Sequence, residues 1–221
     1  VHPGDYSDTT AELRPHDLVW IAAGALSPDA PAWAIDRIRA GAPVVVRRAP
    51  RTQTTIPVGV RGASRGQRYA DTISRVDIAR VTTPESLIDS RADRVPAMCC
   101  IAGAAPTLTA PGYRWGITGA VGFELATGLP VCHVQSDLDL IVRMPQPLSR
   151  DRAGDIHDAL ATLAVRCDVQ LETPCGAVAL ADWAGAAAQC LVKGDAGPFL
   201  TADPWADAHG PVAAPCRVFT D

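Results

Sequence analysis

The stretch Ser136-Asp137-Leu138-Asp139-Leu140-Ile141-Val142 constrains this chain more than any other. Successive side chains of a β-strand point to opposite faces, so Asp137 and Asp139 share one face while Leu138 and Leu140 share the other. Two acids side by side on a strand repel each other unless a positive charge stands between them. Oxygen donors of this kind suit Mg²⁺, which is commonly held by one or two carboxylates together with substrate phosphates. A bare D-x-D also fits an acidic strand face at a sheet edge, so the flanking sequence has to decide.

The flanks alternate cleanly. Tyr113 to Thr118 predicts a strand ending at Gly119, and Ala120 to Thr127 a short helix stopped by Gly128-Leu129-Pro130. The Asp-bearing strand is predicted from Gln135 to Val142. Ser149 can cap a helix from Arg150 to Val165, in which Ile156, Leu160 and Leu163 recur at helical spacing. Asp168-Val169-Gln170-Leu171-Glu172 alternates as a third strand. Pro174 and Gly176 then turn the chain into an Ala-rich helix predicted over Val178 to Ala188. Gln189 to Gly194 leads to a Pro-containing tail.

In the first half, order is expected to begin at Arg14-Pro15-His16-Asp17-Leu18, after a flexible tail over residues 1–13. Pro31 opens a helix whose Trp33, Ile35 and Ile38 point inward, and Gly41-Ala42-Pro43 ends it. Val44-Val45-Val46 is a buried strand running into Arg47 and Arg48. Ile56 to Arg61 is a second strand leading into Gly62-Ala63-Ser64-Arg65-Gly66-Gln67-Arg68. Arginine forks match phosphate oxygens, and backbone N–H groups of Gly-rich loops can add to them. Arg47, Arg48, Arg61, Arg65 and Arg68 are therefore a candidate anion-binding set, with solvated surface charge as the alternative. Thr83 caps a helix over Pro84 to Ser90. The small, breaker-rich stretch from Ala102 to Gly112 lacks periodicity and marks a boundary. The reading is a small α/β N-terminal domain over 14–105, a second domain over 111–205, and a tail over 206–221.

Composition excludes more than it selects. Among 221 residues, 48% are apolar and 20% charged, as in soluble globular proteins. A net charge of −4 argues against a general binder of nucleic acid or anionic membranes. No apolar run reaches membrane-spanning length, and no basic-then-apolar leader follows Val1. The 7 cysteines are scattered, without C-x-x-C or zinc-finger spacing, which suggests reduced thiols in a cytoplasmic protein. Lys193 is the only lysine, and it sits in a late apolar segment.

Gly119, the D-x-D strand and a further acid at Asp168 or Glu172 come in a telling order: strand, Gly turn, helix, D-x-D strand, helix, acidic strand. This order resembles the nucleotidyltransferase superfamily of the DNA polymerase β type. The resemblance implies an α+β chain whose second domain is a mixed sheet with flanking helices. Longer words narrow it: Arg14-Pro15-His16-Asp17-Leu18; Ile56-Pro57-Val58-Gly59-Val60-Arg61-Gly62 with Gln67-Arg68-Tyr69-Ala70; and Trp115-Gly116 with Gly119, Gly122-Phe123 and Thr127-Gly128. Asp168-Val169-Gln170-Leu171-Glu172-Thr173-Pro174 and Leu191-Val192-Lys193 with Ala196-Gly197-Pro198 complete the set. Over residues 14 to 205 these look like the phosphoribosyl-dephospho-CoA transferases of malonate decarboxylase, also called its holo-acyl-carrier-protein synthases.

The resemblance implies a donor, triphosphoribosyl-dephospho-CoA, and an acceptor, a serine hydroxyl of the acyl-carrier subunit. Pyrophosphate leaves and a phosphodiester forms, a reaction that needs positioning and charge neutralisation more than covalent chemistry. It further implies a two-metal Mg²⁺ site on Asp137, Asp139 and Asp168, with Asp168 drawing the serine proton and Glu172 as the alternative third carboxylate. Thr118, Gly119 and Ala120 would form the phosphate turn, Lys193 would take the leaving pyrophosphate, and Arg61, Arg65 and Arg68 would meet the donor, with an acidic carrier competing for the same arginines. Ala120 departs from the superfamily pattern, which has Ser there, and leaves backbone N–H groups as the donors. His133 is a further candidate base, His16 a candidate donor contact, and Trp115 a candidate border of the adenine site. An ordinary nucleoside triphosphate as donor, or a binding module without catalysis, are the rival readings.

Overall fold

The computed structural model describes residues 12–64 and 66–206, so Arg65 and most of both expected tails lie outside the described residues. Leu13, expected in the first tail, is instead buried in the same apolar cluster as Val19, Val44 and Ile73.

Runs of β-branched residues broken by Gly and Pro build the first sheet. Its elements are β1 (Leu18–Ile21), α1 (Ala32–Arg39), β2 (Val44–Val46), β3 (Thr55–Arg61), β4 (Arg68–Ser74) and β5 (Ile78–Thr82). The order is β4-β3-β2-β1-β5 and every pairing is antiparallel. The expected α/β character is thus absent. No helix follows β2 to make a parallel crossover, and a parallel neighbour needs one. Pro31 precedes the first turn of α1, which buries Ala34 and Ile38 and packs Trp33 and Ile35 at the edge of the core. Thr83 Oγ1 accepts from the Ser86 N–H at 3.3 Å and starts a 3-10 turn over Pro84–Leu87, shorter than the predicted helix.

The stretch read as an aperiodic boundary is mostly helical: α2 (Pro96–Cys99) is followed by α3 (Ile101–Thr109). Ile101, Ala104 and Leu108 are buried on one side of α3, in the larger core. Its small residues serve close packing, since a Cβ on Gly103 would lie 2.7 Å from Leu163 Cδ2. β6 (Arg114–Ile117), α4 (Gly119–Thr127), β7 (Leu138–Arg143), α5 (Arg150–Ala161) and β8 (Cys167–Thr173) follow in the predicted order. Gly128 ends α4 in the left-handed conformation, and Ser149 caps α5 by accepting from the Arg152 N–H at 3.2 Å.

Two predicted elements change. The segment predicted as an Ala-rich helix from Val178 becomes the end of β9 (Gly176–Ala179) and α6 (Leu180–Ala184), because strands on both sides claim Val178 and Ala179 whatever their propensity. The expected Pro-containing tail holds β11 (Gly197–Thr201), hairpin partner of β10 (Cys190–Gly194). The second sheet runs β11-β10-β9-β8-β7-β6, and only β7 and β8 are parallel, joined through α5.

Register assigns the two faces of this mixed sheet. Leu138, Leu140, Val142, Val169, Leu171, Val178 and Val192 pack with α3 and α5 in the larger core. The opposite face carries Asp139, Ile141 and Arg143 of β7, Asp168, Gln170 and Glu172 of β8, and Lys193 of β10. The first sheet meets the second half here. Leu18, Ala42 and Phe123 form a small apolar seam, and ion pairs join Arg48 to Glu172 and Arg143 to Asp17.

Candidate metal and phosphate site

The parallel register sets Asp139 directly beside Asp168, and Asp137 immediately precedes β7. One oxygen from each of the three lies within 4.8 Å of the others. Burial, then the charges of Asp137 and Asp168, push the Asp139 carboxyl up to about 6, against the pull of Arg61 and Arg166. A carboxylate disfavoured in this way marks a place where positive charge is short.

β6 enters α4 through Thr118 and Gly119, and Gly119 takes a left-handed φ of 65°. The Thr118 N–H donates to the Asp139 carbonyl at 2.9 Å, tying this turn to β7. Thr118 is nearly buried and its side chain caps nothing, so the hydroxyl expected at the phosphate turn is poorly presented. The first N–H groups of α4, that of Ala120 among them, have no acceptor within the helix and lie beside the acids.

The arginines divide. Arg61 and Arg68 stand opposite each other at the end of the β3–β4 hairpin, and the charge of Arg61 is felt at Asp139 and Cys132. Like charges directly opposite are destabilising on their own. The Gly62 loop is not an open nest of amides: the Ala63 and Ser64 N–H groups donate to Gln67 Oε1 at 3.1 and 3.3 Å. Arg48 leaves the expected anion set, because it is bonded to Glu172 in the seam. Glu172 also lies 3.8 Å from Arg143, whose Nε donates to Glu85 Oε1 at 2.8 Å. Glu172 is four residues beyond Asp168, roughly 13 Å along the strand, so Asp168 is the acid that stands with the D-x-D pair. Lys193 is exposed and lines the same cleft as Asp139, Asp168 and Arg166.

The remaining candidates have structural work. His133 is exposed and shapes the turn before Ser136, its Nδ1 accepting from the Gln135 N–H at 3.2 Å. Trp115 faces the helical core and donates from Nε1 to Thr109 Oγ1 at 3.0 Å, away from any adenine site on the acidic face. His16 has φ of 78°, and its backbone N–H donates to Val46 O at 3.0 Å. Burial, then the charges of Arg48, Arg143 and Lys193, lower its imidazole to about 4.

Two residues escaped the sequence reading. Arg166 forks onto Asp168, with Nε 2.9 Å and Nη2 2.7 Å from Oδ1 and Nη2 2.5 Å from Oδ2. Its spacing of two from Asp168 was the available signal, since that spacing shares a strand face. Glu124 is almost buried, and the Arg94 fork holds it at 2.5 and 2.6 Å. The N–H groups of Val131 and Cys132 both donate to Glu124 Oε2 at 2.8 Å. The Arg94 bonds, foremost, draw its carboxyl down to about 2. Glu124 thus anchors the long connection that delivers Asp137, and nothing in its local sequence announces this.

Two carboxylates on neighbouring strands and a third just before one of them, beside the first turn of a helix, define a carboxylate-cluster α+β protein whose oxygens could hold a hard cation. Comparison narrows the class. Residues 86–204 match the family model of the phosphoribosyl-dephospho-CoA transferase MdcG C-terminal domain, and residues 14–84 that of its N-terminal domain. The chain belongs to the phosphoribosyl-dephospho-CoA transferase family. It is 48% identical over 194 residues to the phosphoribosyl-dephospho-CoA transferase of Pseudomonas putida (strain GB-1), covering 87% of this chain and 95% of the relative. The enzyme of that name from Azotobacter vinelandii is 45% identical over 87% of this chain and 94% of its own length. That of Klebsiella pneumoniae is 44% identical over 87% and 96%. No solved structure matches the chain. Among the described residues, no helix is long and apolar enough to cross a membrane.

Proposed function

We propose that this chain transfers the phosphoribosyl-dephospho-CoA group from triphosphoribosyl-dephospho-CoA to a serine hydroxyl of the apo acyl-carrier subunit of malonate decarboxylase, releasing pyrophosphate. One observation carries the reading: Asp137, Asp139 and Asp168 converge within 4.8 Å in a member of this transferase family. In this reading residues 111–205 are a polymerase-β-like nucleotidyltransferase domain, and residues 14–105 hold the donor against it.

The donor set fits Mg²⁺. It offers hard oxygen ligands only, and at Asp139 burial and the neighbouring acids outweigh the charges of Arg61 and Arg166. When bound there, a pair of Mg²⁺ ions supplies charge neutralisation at the donor phosphates and at both the attacking and leaving oxygens. Asp137 and Asp139 would hold them, and Asp168 would share in the holding while one of its oxygens accepts the serine proton. The first-turn N–H groups of α4, at Gly119 and Ala120, bind phosphate without help from a Ser hydroxyl. Lys193, across the cleft, receives the leaving pyrophosphate. Arg61 and Arg68, with Arg65 between them in sequence, meet the donor's anionic groups, and that anion offsets the repulsion between the facing pair.

The test is intact mass spectrometry of the apo-carrier subunit after incubation with the chain, donor and Mg²⁺. A mass gain equal to phosphoribosyl-dephospho-CoA is expected. Addition of a nucleotide from ATP, with none from the proposed donor, would instead support an ordinary nucleotidyltransferase.

A further inference from the structure

We propose that Arg166 is a displaceable counter-ion of the acidic site. Arg166 holds Asp168 in this structure; a divalent cation that takes those oxygens frees it to meet the phosphates that arrive with the cation. The inference rests on the reading of Asp137, Asp139 and Asp168 as a metal site, and extends it to a residue that reading does not use.

The Arg166 fork spans both oxygens of Asp168, with contacts of 2.7 and 2.5 Å from Nη2 alone. Those are the oxygens a cation needs, so guanidinium and cation compete for one ligand. Nothing else detains the side chain. It is 75% exposed, and Asp168 is its one hydrogen-bonding partner among the described residues. Arg94 differs in this respect, since besides its fork on Glu124 it donates to the Cys132 carbonyl at 2.9 Å. The charge of Arg166 is also felt at Asp137 and Asp139, so a released guanidinium stays at the mouth of the site, not out in bulk solvent. Arg166 and Lys193 line one cleft with Asp139 and Asp168. A phosphate chain bridging the acids through cations therefore falls within reach of the fork, whose geometry matches phosphate oxygens as well as carboxylate.

The energetic consequence is a coupling. A cation alone must displace Arg166 and leave it unpaired beside a like charge. A cation that enters with pyrophosphate displaces it too, but supplies its next partner. The two ligands then bind better together than the sum of each alone, and Arg166 is the element through which they communicate. The donor's leaving group is itself a pyrophosphate, so the switch favours loading of metal and donor as one unit.

The test measures two affinities of the full chain by calorimetry: that for Mn²⁺ alone and that for preformed Mg²⁺–pyrophosphate. Arg166→Gln should tighten Mn²⁺ binding roughly tenfold, as expected for removing one unit charge near a dication together with one exposed ion pair. The same variant should weaken Mg²⁺–pyrophosphate binding roughly tenfold. Arg166→Lys, which keeps the charge without the fork, should restore most of the pyrophosphate affinity. Opposite signs are the signature; a fixed strut would give a loss in both measurements and no rescue by Lys. If Arg166→Gln leaves Mn²⁺ affinity unchanged or weakens it, the proposal is overturned. Asp139→Asn separates the layers: if it binds Mn²⁺ like the parent chain, the metal-site reading itself falls, and this inference with it.

Discussion

The Asp139 carboxylate occupies the space that a side chain on Gly119 would fill: an added Cβ would lie 1.7 Å from Asp139 Oδ2 and 2.6 Å from Cγ. Gly119 is also left-handed, with φ of 65°. Gly119→Ala therefore combines backbone strain with eviction of an acid from the site. It is expected to cost about 2–4 kcal/mol in denaturant unfolding and to abolish Mn²⁺ binding in calorimetry.

Asp139→Asn should separate stability from function. Asp139 sits among like charges and its carboxyl is raised to about 6. Removing that charge should stabilise the metal-free protein by about 1 kcal/mol, read as a higher Tm, while transfer to the carrier subunit is lost. A lower Tm would show that the acids are held by contacts that do more than tolerate one another.

Glu124→Gln tests the anchor of the connection before Asp137. It leaves Arg94 without its carboxylate and weakens the hold on the Val131 and Cys132 amides. A loss of about 1–2 kcal/mol is expected on chemical unfolding, chiefly from the two amides that lose a charged acceptor, and adding Arg94→Met should recover little because the Arg94 side chain is 46% exposed. The transfer rate should fall in step with disorder of this connection, followed by proteolysis near Val134, which is 73% exposed.

His16 and Asp17 are neighbours that titrate in opposite senses. His16 falls from 6.5 to about 4, so the folded chain binds its proton less tightly than the unfolded one, and stability drops as pH falls through that window. Asp17 rises from 3.8 to about 6, through burial first, so its contribution drops as pH rises through that window. The two slopes offset each other in the parent chain. The raised Asp139 carboxyl adds a slope of the same sign as Asp17, so the effect is read against the parent: relative to it, Asp17→Asn should lose stability on acidification from pH 6.5 to 4. His16→Asn, which suits a left-handed φ, should leave stability rising over the same range. Urea unfolding across this range reads both slopes, and parallel profiles for the two variants would refute the assignment.

How much of this was legible beforehand depends on range. The D-x-D strand, the Gly119 turn and the helix of Arg150 follow from alternation, breakers and caps that act within a few residues. The grouping of Asp168 with the D-x-D pair follows once the order of elements is recognised. The segment from Ala102 misleads because Gly103 and Pro106 look like breakers locally, whereas Gly103 accommodates Leu163 from a distant part of the chain. The Gly176–Ala179 strand is hidden by Ala-rich composition and exists because β8 and β10 flank it. The arginines could not be sorted either. Arg48 and Arg61 look equivalent in sequence, yet one meets Glu172 and the other sits near Asp139.

The charged seam between the halves has a consequence for building hybrids. Asp17 and Arg48 come from the first sheet, Arg143 and Glu172 from β7 and β8, and Glu85 from the connection between them. Each of these largely buried charges finds an opposite charge across the junction or beside it. A graft that exchanges only the first half strands Arg143 and Glu172 without Asp17 and Arg48, and stranded buried charge is more costly than a lost apolar contact. The workable cut for a chimera therefore follows the charge set and not the chain: Asp17, Arg48, Glu85, Arg143 and Glu172 have to travel as one cassette.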